Sequence, residues 1–169
     1  NCIAIGASAV SLPPLDAVQL HMIHIGLSTL ISLFPAAAEA MPEAAAYNRA
    51  MVSHVVNVRD FQLTHTVLNR RVGEPFWDRA RAMELPASLR TRLRIFAARG
   101  RVLLNEDESF QPHNWTQILL GHGLMPSDHD PAVDAVPTGD LMARVQGLLT
   151  RIAGEVKAMP ALDPEFGGV

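Results

Sequence analysis

Apolar residues recur every three or four positions along several stretches of this chain, the spacing that places side chains on one face of an α-helix. The six predicted helices span residues 16–34, 42–71, 74–83, 86–99, 114–120 and 138–158. Pro35 ends the first helix and Gly100 ends the fourth. Residues 101–111 are polar and acidic, and residues 125–137 are rich in proline and aspartate, so both predict loops. The pattern therefore predicts a mainly α fold.

The N-terminal residues follow a different pattern. Residues 2–5 alternate weakly and are β-prone, which predicts the end of a strand. A loop of small residues and the pair Pro13-Pro14 separate this strand from the first helix. Because the N–H groups at a helix N-terminus attract anions, this succession is typical of a nucleotide or anion site. The chain has no initial Met, so we expect it to be the C-terminal part of a larger protein.

Composition narrows the classes of function. The net charge is −3, and the 13 arginines are spread along the chain, which argues against nucleic-acid binding. The single cysteine, Cys2, allows no internal disulfide and suits a reducing compartment. The most apolar stretch, 20–34, contains two histidines and is too short to cross a bilayer. We expect a cytoplasmic protein that binds neither nucleic acid nor membrane.

Asp16 has two interpretations that do not exclude each other. It precedes an apolar helix and Gln19 follows three residues later, which is an acidic form of the capping box. Alternatively, the Asp16 carboxylate and the backbone N–H groups of Val18 and Gln19 face a reactive pocket, since a helix N-terminus binds anions.

Histidines occur in pairs that share a helix face. His21 and His24 are three residues apart, and His54 and His65 are eleven apart. A metal site between helices needs a carboxylate at a matching spacing, as in Glu-x-x-His motifs. Asp60 lies five residues before His65, so the spacing does not fit. We therefore predict no metal site.

The two tryptophans and the cysteine are the remaining candidates. Packing is the favoured role of Trp77, because tryptophan buries a large area. For Trp115, packing and an aromatic slot for a flat substrate stay open. Cys2 has no adjacent base, which disfavours a nucleophile. The chain contains no phosphate-binding glycine loop and no Gly-x-Ser-x-Gly elbow.

A set of short motifs occurs in a fixed order over the first 131 residues. They are Asn1-Cys2-Ile3-Ala4-Ile5-Gly6, Pro14-Leu15-Asp16, Leu33-Phe34-Pro35, Tyr47-Asn48, Arg59-Asp60-Phe61, Pro75-Phe76-Trp77, Leu85-Pro86, Asn114-Trp115 and Gly121-His122-Gly123-Leu124-Met125-Pro126. In this order they resemble the flavin-dependent tryptophan halogenase family. The resemblance implies a helical, substrate-covering C-terminal subdomain of a flavin monooxygenase-like α/β protein. Residues 1–15 would be a strand and loop ending the flavin-binding domain, 16–160 the helical subdomain and 161–169 a flexible tail.

The resemblance also implies a chemistry. FAD, reduced by a separate flavin reductase, reacts with dioxygen and oxidises bound chloride or bromide to hypohalous acid. A lysine upstream of this chain presents that oxidant to an electron-rich, indole-type ring, and a glutamate assists. The flavin and the ring stay apart, so the protein guides a small oxidant and excludes water.

The family's functional positions carry over with differences. Asp16 stands at the active-site glutamate, and Val18 and Gln19 stand where a threonine and a glycine hold the halide through backbone N–H groups. The other implied contacts are with the flavin at Asn1, Gly6 and Pro14, and with the substrate at Trp115.

These differences leave two rivals to a halogenase. One is a halide-independent flavin hydroxylase or oxidase on the same scaffold, because Val18 and Gln19 are larger than the family's residues. The other is a helical binding module without chemistry, in which Asp16 only caps a helix. For the halogenase as well as for its rivals, we expect this chain alone to be inactive, because the main flavin motifs and the lysine are absent from it.

Overall fold

The computed structural model describes residues 2–37 and 39–160. The six α-helices among them are α1 (Val18–Ser32), α2 (Pro42–Val67), α3 (Pro75–Ala82), α4 (Ala87–Arg99), α5 (Pro112–Gly121) and α6 (Thr138–Ala158), and 3-10 turns span Gly6–Ser8 and Pro131–Ala135. The predicted mainly α fold is confirmed. Asn1 and the predicted tail at 161–169 lie outside the described residues.

The described N-terminal residues form no strand within this chain. Ile5 has extended dihedral angles, but residues 2–5 pair with no strand in the described part of the chain. A strand requires hydrogen bonds to a neighbour, so the predicted strand, which belongs to the sheet of the flavin-binding domain, stays a prediction. Gly6 has a φ of +64°, and a Cβ atom at this position would lie 2.6 Å from Cγ1 of Ile23. Glycine thus lets the segment close against α1.

Helix ends follow local rules. The helices α2, α3 and α5 each begin with a proline, whose missing N–H costs nothing in the first turn. Gly100 adopts a left-handed conformation after α4 and donates its N–H to the carbonyl of Phe96 at 2.8 Å. α2 ends at Val67, four residues earlier than predicted, and the side chain of Asn69 then accepts the N–H of Arg71 at 2.9 Å.

The main core lies where α4 and α5 pack on α2. We call it the Trp115 core; its buried residues are Phe61, Leu89, Phe96, Trp115, Ile118 and Leu119. A buried ion pair adjoins it, with Nη2 of Arg92 donating to Oε2 of Glu108 at 2.6 Å and the guanidinium 3.9 Å from the Trp115 ring centroid. Glu108 belongs to the segment predicted as a surface loop, and its side chain is only 4% exposed. That prediction is wrong for Glu108 because it supplies the countercharge to Arg92.

A smaller apolar cluster joins α1 to α2 through Val18, Met22 and Val58. Four large apolar side chains of α1 are exposed: Leu20, Ile23, Leu27 and Ile31. Only one face of α1 is thus covered by the described part of the chain.

The chain divides into two compact units between His129 and Asp130. In the second unit, α6 has the bounds that its pattern predicts. Its apolar residues are all exposed: Leu141, Val145, Leu148, Leu149, Ile152 and Val156. Among the described residues, no helix is long and apolar enough to cross a membrane.

Candidate functional site

The loop that leads into α1 has a strained backbone. Asp16 and Ala17 are consecutive residues with positive φ, at 59° and 51°. L-residues with a Cβ atom rarely adopt this conformation, and such residues persist only where the surrounding structure holds them. Strain of this kind concentrates at functional sites.

The predicted capping box is wrong. The N-cap of α1 is Ala17 and not Asp16, and no side chain caps the helix there. The amide of Gln19 donates to the carbonyl of Pro13 at 3.3 Å instead of returning to the cap residue. The Asp16 carboxylate is therefore available for another contact.

The side chains that hold this loop come from α2. Nε2 of Gln62 donates to the carbonyls of Pro13 at 3.0 Å and Leu15 at 2.9 Å, and Gln62 is buried. Three residues further on, Nε2 of His65 lies 3.3 Å from Oδ1 of Asp16. Two side chains on one face of a rigid helix thus fix the loop and its carboxylate.

A second histidine packs on the first. The rings of His65 and His122 meet edge to face with centroids 5.8 Å apart, and Phe61 makes a similar contact with His65. His122 follows the last turn of α5. Burial, and then the charges of His65 and Arg70, lower the pKa of His122 below its usual range. We call Asp16, His65 and His122 the Asp16 cluster.

Gly123 makes room for the arginine beside this cluster. It has a φ of +78°, and a Cβ atom there would overlap the Arg70 guanidinium. Nη2 of Arg70 donates to the Gly123 carbonyl at 3.2 Å. The glycine at position 123 therefore has a physical reason: it lets Arg70 close over the turn that follows His122.

The residues assigned to a halide lie in the first turn of α1. The side chain of Val18 is buried in the small cluster with Met22 and Val58, and Gln19 is exposed. The first N–H groups of a helix have no acceptor within the helix, so the N–H groups of Val18 and Gln19 make no helical hydrogen bond.

The residues that the resemblance assigns to the flavin lie in the N-terminal segment. Asn1 lies outside the described residues, Gly6 is buried against Ile23, and Pro14 is exposed. None of the described residues 2–15 carries a buried side-chain polar atom without a partner. The flavin contacts at these positions stay a prediction.

Trp115 is completely buried in its core, with its ring edge against Phe61 at a centroid distance of 4.9 Å. Arg92 covers its face, and its Nε1 atom is buried without a hydrogen-bond partner. This placement favours the packing role over a substrate slot.

A cavity of about 860 Å³ lies between the N-terminal segment, α1 and α2. Its walls are mostly apolar and include Met22, Phe34 and Met51, with Gly6 at its border. The hydroxyl of Tyr47 and Oε2 of Glu43 belong to residues of its wall and are buried without partners. The cavity is separate from the Asp16 cluster, since it shares no residue with it.

Another histidine of α2, His54, faces a different carboxylate. Nε2 of His54 lies 4.0 Å from Oδ1 of Asp107, and burial, then His54, then His24, lower the pKa of His21. Within residues 2–37 and 39–160, no three histidine, cysteine or acidic side chains lie together as metal ligands would.

The sequence did not predict the roles of two buried polar residues of α2. Gln62 holds the Asp16 loop, and Asp60 accepts from Nη2 of Arg59 at 2.6 Å and from the hydroxyl of Ser88 at 2.5 Å. The motif Arg59-Asp60-Phe61 was the signal for Asp60, whereas nothing local marks Gln62.

The comparisons with known proteins agree with this arrangement of helices. The sequence profile of the tryptophan halogenase family matches residues 1–138, so the chain belongs to that family. Among solved structures, BrvH, a flavin-dependent halogenase from Brevundimonas sp. BAL3, is 36% identical with a TM-score of 0.86. Xcc4156, a flavin-dependent halogenase from Xanthomonas campestris, is 31% identical with a TM-score of 0.87.

These relatives are much longer than the chain. Each of the two structural matches covers 95% of this chain but 32% of the solved chain. Tryptophan 6-halogenase SttH from Streptomyces toxytricini is 28% identical over 140 residues, which are 79% of this chain and 26% of that protein. The chain thus spans about a third or less of the relatives that it matches.

Proposed function

We propose that this chain is the C-terminal, helical part of a flavin-dependent halogenase-like monooxygenase that acts on an electron-rich, indole-type ring. The observation that carries the proposal is the family match over residues 1–138. Within that range, we assign Asp16 to the position of the family's active-site glutamate, as the motif resemblance implies. Its strained loop and its partly exposed carboxylate support a functional role. FAD, reduced by a separate reductase, would activate dioxygen, and dioxygen would supply the oxidising equivalents that turn halide into an electrophile.

In this proposal Asp16 acts as the base beside the aromatic ring. Halogen addition gives the ring a positive charge, and the carboxylate accepts the proton from the carbon that was attacked. The side chain of Asp16 is 23% exposed, so it is within reach of a substrate while Gln62 and His65 keep its loop in place. A base that the fold already holds in place lowers the activation barrier of proton transfer, because no entropy is lost in ordering it during the reaction.

The first turn of α1 is the proposed halide site. The backbone N–H groups of Val18 and Gln19, with the positive end of the helix dipole, would hold the anion. The side chain of Val18 points into the cluster with Met22 and Val58, so its size leaves the N–H side open. The amide of Gln19 turns back to Pro13. These placements favour halide use over the halide-independent hydroxylase.

The test uses the whole protein that contains this chain, a flavin reductase and a panel of indoles. Reactions run in bromide, in chloride and without halide, and product mass is measured. We expect halogenated product, with bromide preferred. The variant Asp16→Asn, of nearly equal size, should keep the fold and lose turnover. A hydroxylated product that forms equally well without halide would contradict the proposal and favour the hydroxylase.

A further inference from the structure

We propose that His65 is a positioning residue for Asp16: its imidazole ring orients the carboxylate at the mouth of the loop. The proposal rests on the proposed function, since it explains how this chain keeps its base in place. The main observation is the distance of 3.3 Å between Nε2 of His65 and Oδ1 of Asp16. That nitrogen is buried and makes no well-aligned hydrogen bond, so the carboxylate is the group that compensates its burial.

The ring of His65 has little freedom to turn away. Phe61 lies one turn earlier on α2 with its ring edge-on to His65, and His122 packs edge to face on His65. Gln62, on the same helix, binds the loop on the N-terminal side of Asp16. A loop with two consecutive positive φ values needs such external support, and α2 provides two anchors.

The charges around His65 also favour an interaction with Asp16. Two titratable groups from other segments contact it, Asp16 before α1 and His122 after α5. Beyond the end of α2, Arg70 adds a positive charge beside His122. Only Asp16 is negative. Burial and the nearby positive charges disfavour a proton on His122, so His65 is the histidine that pairs with the carboxylate.

The first experiment is a double-mutant cycle in the whole protein that contains this chain, with Asp16→Asn, His65→Gln and both changes together. The readout is the melting temperature at pH 6 and pH 8.5. An imidazole carries charge mainly at the lower pH, so we expect a non-additive shift of about 1–4 °C at pH 6 that shrinks at pH 8.5. The variant His113→Gln, at an exposed position of α5, is the matched control and should show no coupling to Asp16. Additive shifts at both pH values would overturn the proposal.

The second experiment measures turnover of the whole protein between pH 6 and pH 8.5. We expect His65→Gln to lower kcat at least tenfold, to leave KM within twofold and to flatten the pH profile of kcat. A loss of kcat with an unchanged pH profile would mean a structural role only and would overturn the proposal. If the unmodified protein forms no halogenated product, the proposed function fails, whereas the cycle still decides whether His65 pairs with Asp16.

Discussion

The Trp115 core and the Asp16 loop both pack on α2, but they are held together in opposite ways. The core combines close apolar packing with a buried ion pair between Arg92 and Glu108. The loop has a strained backbone and partly exposed side chains. Nε2 of His65 lies 3.3 Å from Oδ1 of Asp16, but the two atoms are not aligned as a hydrogen bond. The core stabilises the fold, and that stability keeps the loop in a conformation it would not adopt alone.

The same helix serves both regions. Phe61 belongs to the core, whereas Gln62 and His65 contact the loop. A change in the core should therefore alter stability strongly, and a change in the loop should alter function with little loss of stability.

The largest effect should come from breaking the buried ion pair. Glu108→Ala leaves Arg92 charged and buried, which costs about 3–5 kcal/mol in the free energy of unfolding, measured with urea. Replacing both partners, Arg92→Met with Glu108→Leu, should cost less than Glu108→Ala alone. The control is Glu84→Ala, which breaks an exposed pair with Arg90 and should cost at most about 1 kcal/mol. Equal losses for Glu108→Ala and Glu84→Ala would show that burial is irrelevant.

The core packing gives the next largest effect. Leu119→Ala removes a fully buried side chain and should lower the free energy of unfolding by about 2–5 kcal/mol. Leu120→Ala changes the adjacent, exposed residue of α5 and should stay within about 0.5 kcal/mol. Urea unfolding of both variants checks the difference. Equal losses of unfolding free energy in the two variants would show that Leu119 is not part of the core.

Several elements of the fold could be predicted because their determinants are adjacent in sequence. The bounds of α6 follow from its apolar spacing, and Gly100 ends α4 as expected for a left-handed glycine. Proline marks the start of α2 and α3. In each case the residue that decides the boundary lies within a turn of it.

The Asp16 loop could not be predicted in the same way. The residues that hold it, Gln62 and His65, lie more than 40 positions later in the chain. Local pattern favours Asp16 as a helix cap, but contacts from α2 move the cap to Ala17. Glu108 was misread for the same reason, because its partner Arg92 faces it only after the chain has folded.

A smaller effect should come from relieving strain in the loop. Ala17→Gly removes the Cβ atom at a residue with a φ of 51° and should stabilise the chain by up to about 1 kcal/mol. Ala45→Gly, in the regular α2 helix, is the matched control and should destabilise by about 0.5–1 kcal/mol. Opposite signs in urea unfolding would confirm stored strain at Ala17. Loss of stability in both variants would show that the loop is relaxed.

The smallest effect is the loss of stability at acidic pH, which we expect from two histidines whose pKa is lowered in the folded chain. His21 and His122 bind protons more weakly in the folded chain, so below the usual value near 6.5 the unfolded chain binds more protons and is favoured. Their contribution to stability is complete above that pH and is lost as the pH falls. His21→Gln should therefore lose less melting temperature than the unmodified chain between pH 7.5 and 5.5, and His113→Gln should not differ from it. Because all other titrating groups are common to the variants, the difference in slope isolates His21. A His21→Gln slope equal to that of the unmodified chain would show that desolvation and His54 do not act on this ring.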